Sequence, residues 1–133
     1  MVKIIPKVAD MLIRPDTNKV MTTVSPEGEP HAIVCGSLLV SGEESIAVGK
    51  VYMYATCRNL RSNPVAEFLV WSGKDAYSVR AVLRSRIESG PLFDKMNHNL
   101  GKMKMKAVSV LEFDVLSIYD EGISPDTAGT QIL

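Results

Sequence analysis

Residues 31–40, His-Ala-Ile-Val-Cys-Gly-Ser-Leu-Leu-Val, constrain this chain more than any other stretch. In an extended chain successive side chains point to opposite faces. One face then carries Ile33, Cys35, Ser37 and Leu39, and the other Ala32, Val34, Gly36, Leu38 and Val40. Neither is a solvated face, and a strand apolar on both sides is buried on both sides. In a small domain this predicts a barrel interior on one side and a partner subunit or flat ligand on the other. Gly36 inside such a strand permits close approach of a ligand or another backbone.

The flanking sequence supplies partners for that strand. Val20–Val24 reads as a strand, joined to it by the turn Ser25-Pro26-Glu27-Gly28. Further strands are predicted at 45–49, 65–71, 76–88 and 102–119. The fifth alternates: Tyr77, Val79, Ala81, Leu83 and Ile87 on one face, Ser78, Arg80, Arg84, Arg86 and Glu88 on the other, with Val82 among them. The sixth places Met103, Met105, Ala107, Leu111, Phe113 and Val115 on its inner face. Helices are predicted at 4–13, within 50–64, and at 90–101, where Pro91 suits a first turn. The tail after Tyr119 is irregular. Six strands in meander order with few helices predict a mainly β fold, a small antiparallel barrel.

Length and charge narrow the function. The 133 residues suit one domain, residues 1–133. Lysine plus arginine equals aspartate plus glutamate at 15 each, so no basic excess points to nucleic acid. No apolar run reaches the length of a membrane span, and Lys7 and Asp10 interrupt any signal-peptide core. A cytoplasmic protein is expected. Two cysteines and two histidines are too few and too scattered for a metal site. Alternating Lys102, Lys104 and Lys106 read as the solvated edge of a strand, where lysine blocks edge pairing.

No nucleophile elbow, Walker loop or dinucleotide fingerprint is present. Cys35 and His31 on one strand would lie roughly 13 Å apart at the ordinary rise, too far for a dyad. Any chemistry therefore belongs to a cofactor. The segment Lys50–Pro64 offers a seat for one. Thr56 is placed to cap a short helix, Pro64 ends it, and Lys50, Arg58 and Arg61 lie nearby. Free amides, helix dipole and cations together favour a phosphate.

In this order the motifs resemble the FMN-binding split barrels related to pyridoxamine 5′-phosphate oxidase. The residues that carry the resemblance are Val20–Val24 with Gly28-Glu29-Pro30-His31, Val48-Gly49, Thr56-Cys57-Arg58-Asn59-Leu60, Asn63-Pro64-Val65 and Gly90-Pro91-Leu92-Phe93. The resemblance implies a six-stranded split barrel and a homodimer with FMN in clefts between subunits. It implies a flavin-dependent oxidoreductase or electron carrier whose small-molecule or protein electron donor is unknown. Thr56 and Asn59 would serve the phosphate, with Lys50 and Arg58 as aids. Val48 and Gly49 would line the flavin through their backbone. Val34, Cys35, Gly36 and Ser37 would lie along the ring and ribityl chain. One departure stands out: the position before Thr56, often basic in this family, is Ala55. A phosphate would then draw on Lys50, Arg58 or a partner-chain Arg80 or Arg84. Two alternatives stay open: the same fold holding a deazaflavin or haem, and a non-enzymatic binding module.

Overall fold

The computed structural model describes residues 1–133. Helix α1 (Pro6–Ile13) starts on proline and ends at Arg14, whose extended backbone suits the residue before Pro15. Strands β1 (Asn18–Val24), β2 (Pro30–Val34), β3 (Leu38–Gly42) and β4 (Ser45–Gly49) follow. Helix α2 (Tyr54–Ser62) stops where Pro64 holds Asn63 extended. Then come β5 (Val65–Ser72), β6 (Asp75–Ile87), helix α3 (Pro91–Gly101), β7 (Val110–Asp120) and the two-residue β8 (Thr130–Gln131).

The strands form one antiparallel sheet in the order β2-β1-β5-β6-β7-β4-β3, with β8 added on β7. Two expectations change here. The sheet has eight strands rather than six, and no ladder joins its edges β2 and β3, so the barrel is not closed. The physical reason lies in the long apolar run. Residues 31–40 do not form one strand. The chain leaves β1 after Val34 and joins β4 from Leu38, crossing from one edge of the sheet to the other.

The predicted double burial also moves. Val34 is 85% exposed, and β2 is exposed along most of its length. The strand buried on both faces is β4, all five of whose residues are buried. Ile46 and Val48 point into the main core, where Phe68 and Phe113 meet edge to face with centroids 5.3 Å apart. Ala47 packs on the other side against Met96 and Leu100 of α3. Gly49 is needed there: a methyl group at its Cα would sit 3.0 Å from Met96 Cγ.

The sixth predicted strand begins late. Residues 102–104 continue α3 as a turn, and β7 starts only at Val110. Met103 and Met105 are consequently exposed rather than inward, whereas Leu111, Phe113 and Val115 line the core as expected. Helix α1 packs on β3 and β5 through Val8, Met11 and Leu12. No helix is long and apolar enough to cross a membrane.

Candidate functional site

The crossing segment Cys35-Gly36-Ser37 spans the split in the barrel. The Cys35 amide donates to the Lys19 carbonyl of β1 (3.0 Å), while the Gly49 amide of β4 donates to the Ser37 carbonyl (3.1 Å). The Ser37 hydroxyl adds a bond to the Gly49 carbonyl (2.9 Å). A methyl group on Gly36 would meet no atom within 4 Å, so the space above the segment is open. That space belongs to a cleft of about 630 Å³ walled by Val20, Val34, Leu39, Trp71, Met96 and Met103, among others. Its size and largely apolar lining suit a small organic ligand. Burial pushes the Cys35 thiol up to about 12. Cys35 is therefore a neutral wall residue at ordinary pH and no nucleophile.

A second hollow of about 460 Å³ lies at the start of α2, walled by His31, Ile33, Val34, Tyr52, Ala55 and Thr56, among others. Val34 borders both hollows. Helix α2 begins three residues earlier than the sequence predicts. Its N-cap is Met53, with no side-chain cap, so Thr56 sits in the first turn and does not cap it. The amides of Ala55 and Thr56 have no backbone partner, as expected for a first turn. The Thr56 hydroxyl, on a residue 1% exposed, has no hydrogen-bond partner either. A buried hydroxyl without a partner is costly, and native structures leave few. Three polar groups are thus gathered unpaired at the positive end of a helix.

The other predicted residues spread further. Val48 is fully buried in the core, and Gly49 is covered by α3 but exchanges hydrogen bonds with Ser37. Asn59 is buried and donates to the Thr23 hydroxyl of β1 (3.1 Å), fastening α2 to the sheet. Arg58 is exposed and lines neither hollow. Lys50 faces a different recess, with Lys104 and Lys106. Arg80 pairs with Glu67, and Arg84 pairs with both Glu112 and Asp114. No lysine or arginine lines the Thr56 hollow; His31 is the only basic side chain there.

Sequence reasoning paired His31 with Cys35 only to reject the pair, and the structure puts the two in different hollows. That Trp71, Met96 and Met103 meet in the large cleft has no sequence signal, because they arrive from β5 and from α3 with its terminal turn. Nowhere do three His, Cys, Asp or Glu side chains gather as metal ligands.

No protein-family model matches the sequence, and no curated protein matches it. Solved structures do match in shape. An FMN-binding protein from Syntrophomonas wolfei aligns with a TM-score of 0.81 at 18% identity, over 89% of this chain and 86% of that one. A candidate pyridoxamine 5′-phosphate oxidase from Lactobacillus delbrueckii aligns at 0.71 and 14% identity, over 88% and 93%. HutZ, the haem storage protein of Vibrio cholerae, aligns at 0.60 and 14% identity, over 91% and 97%. Together with the open eight-stranded sheet, these likenesses give the chain the FMN-binding split-barrel fold of the pyridoxamine 5′-phosphate oxidase-like proteins.

Proposed function

We propose that this chain is an FMN-binding flavoprotein that acts as a homodimer in oxidation–reduction or electron transfer. The observation that carries the reading is the unpartnered Thr56 hydroxyl beside the free amides of Ala55 and Thr56 at the head of α2. An anion there would satisfy all three at once, in the field of the helix dipole. A ligand with its phosphate at Thr56 reaches the large cleft by passing over Val34, which borders both hollows. The flat ring would then lie along Val34, Cys35, Gly36 and Ser37. Gly49 holds that segment through the Ser37 bonds, Val48 backs it from the core, and Asn59 fixes α2 to β1. Arg58 and Lys50, outside the hollow, would add only longer-range attraction. Bound flavin would supply the electron chemistry; the protein's residues would bind it, orient it and exclude water. The other wall of the cleft would come from a second copy.

The test is the visible spectrum of the purified protein after FMN is added and unbound flavin removed, with riboflavin in parallel. FMN retained and bleached by dithionite, with riboflavin held much more weakly, supports the reading. Thr56→Val should weaken FMN by about 10- to 100-fold, the worth of one hydrogen bond to a charged group. It should leave riboflavin and folding unchanged. Equal loss of both flavins would end the phosphate assignment. A monomer in sedimentation at working concentration would end the two-chain cleft.

One observation favours a second cofactor reading. The Thr56 hollow lacks the lysine or arginine that a phosphate would attract. A deazaflavin or haem, with its anionic groups placed elsewhere in the cleft, is that reading. A Soret band after haem addition, with no flavin retained, would move this reading ahead.

A further inference from the structure

Val51, Tyr52 and Tyr54 border the Thr56 hollow, and they also border a separate recess of about 430 Å³. Its remaining walls are Lys50, Lys104, Met105, Lys106 and Val108. No carboxylate lines it, and none of its three lysines has an ion-pair partner. Tyr52 is 77% exposed and Tyr54 74%. The ordinary explanation for alternating lysines, protection of a strand edge, does not apply. Residues 102–109 are not a strand, and β7 begins at Val110.

Backbone geometry singles out the same recess. Tyr52 (φ 66°) and Lys104 (φ 58°) are the only residues other than glycine with positive φ, and both line it. That conformation is unfavourable for any residue with a side chain. Lys104 holds the place where a helix end usually carries glycine. The Lys104 amide donates to Gly101 and the Met105 amide to Leu100 across the turn that ends α3. A lysine in a glycine position, beside two other unpaired lysines, is what a binding role would retain at a cost in stability.

We propose that this recess binds a phosphorylated nucleotide. Its phosphates are held by Lys50, Lys104 and Lys106, and its base lies against Tyr52 or Tyr54. Unpaired ammonium groups favour phosphate as point charges, and exposed aromatic rings offer a stacking platform that any base can use. The volume fits one small ligand. The balance of 15 basic and 15 acidic residues gives no extended field for a nucleic-acid strand, which favours a single nucleotide. The site stands apart from the flavin reading, although the shared wall of Val51, Tyr52 and Tyr54 makes the two ligands neighbours.

Calorimetric titration of the full chain with ADP, adenosine and pyrophosphate tests it. One ADP per chain is expected, with adenosine and pyrophosphate each at least about tenfold weaker, and with ADP affinity falling as salt rises. Lys104→Gly should melt at or above the wild-type temperature, because glycine accepts the φ of this position. It should bind ADP about tenfold more weakly, the loss of one charge-assisted contact. Its FMN retention should be unchanged. Lys106→Ser should behave likewise toward ADP. Four results would overturn the proposal: no heat with ADP; unchanged ADP affinity in both variants; displacement of ADP by saturating FMN; or a uridine dodecamer binding more tightly than ADP. The ADP titration is made on the protein as purified, so failure of FMN binding leaves it interpretable.

Discussion

Strands β2 and β4 are both five residues long and read alike in sequence, Pro-His-Ala-Ile-Val against Ser-Ile-Ala-Val-Gly. Their fates differ completely. β4 lies between β3 and β7, with the core on one face and α3 on the other, and every residue is buried. β2 is an edge strand with Val34 and most of its neighbours exposed. Apolar character sets what a strand can bury, whereas its place in the sheet order sets what is there to bury it. The unburied apolar edge is next to both hollows of the candidate site, which is where a ligand or second chain would find surface to cover.

Truncating β4 should produce the largest effect. Ile46→Ala removes a fully buried side chain and should cost about 2–5 kcal/mol, read from the midpoint of urea unfolding. A loss below 1 kcal/mol would mean that β4 is not the central strand of the core. Next comes Gly49→Ala, which drives a methyl group into Met96 and Leu100. Overpacking of this kind should cost about 1–3 kcal/mol and loosen α3, seen as faster amide exchange in residues 91–101.

The flank of β4 supplies a pH-dependent test. Asp114 and Glu112 of β7 pair in register with Ser45 and Ala47 of β4, and Arg84 of β6 bridges both carboxylates at 2.6 and 2.8 Å. Burial alone would push the Glu112 carboxyl up. Hydrogen bonds from Arg84, Ser41 and Ser85, with the Arg84 charge, outweigh it and hold the group below its ordinary value. A carboxyl lowered in the folded state binds fewer protons there than in the unfolded chain. Its stabilisation is complete above the unfolded value of roughly 4.3 and is lost as pH falls through the lower folded value. Arg84→Ala should therefore cost about 1–2 kcal/mol at pH 7, between exposed and buried ion pairs, and flatten the acid limb of the stability curve. An unchanged acid limb would show that the other hydrogen bonds suffice.

The smallest effect on folding belongs to β2. Val34→Ser should change stability by less than about 0.5 kcal/mol, as for exposed positions generally. Flavin retention should nevertheless drop, because Val34 joins the two hollows. A variant that retains flavin like the wild type would separate β2 from the ligand and reduce the comparison to one of burial alone.

Much of the fold was legible because its signals are local. Pro64 marks a helix limit through its fixed backbone. The alternation from Tyr77 to Leu83 gives the inner face of β6, since strand periodicity needs only neighbours in sequence. Thr56 was legible as a residue of the α2 start, but the cap expected of it does not form. Helix initiation depends on the left-handed turn at Tyr52, which no propensity of tyrosine announces. The break at Cys35–Ser37 was hidden for a similar reason. Each half of the run is a good strand, and only competition between β1 and β4 for hydrogen bonds divides it. Met103 and Met105 were misread because α3 runs on through a lysine where glycine is expected.

The sequence by itself determined an antiparallel, mainly β chain with three short helices, and much of its core. Periodicity, proline and turn chemistry act over a few residues and need no knowledge of the rest. Only the tertiary structure decided which apolar strand is buried twice, where the barrel splits, and which polar groups are left without partners. Those outcomes depend on which surfaces distant segments bring together, and a hydroxyl such as that of Thr56 is unpaired only with respect to everything packed around it.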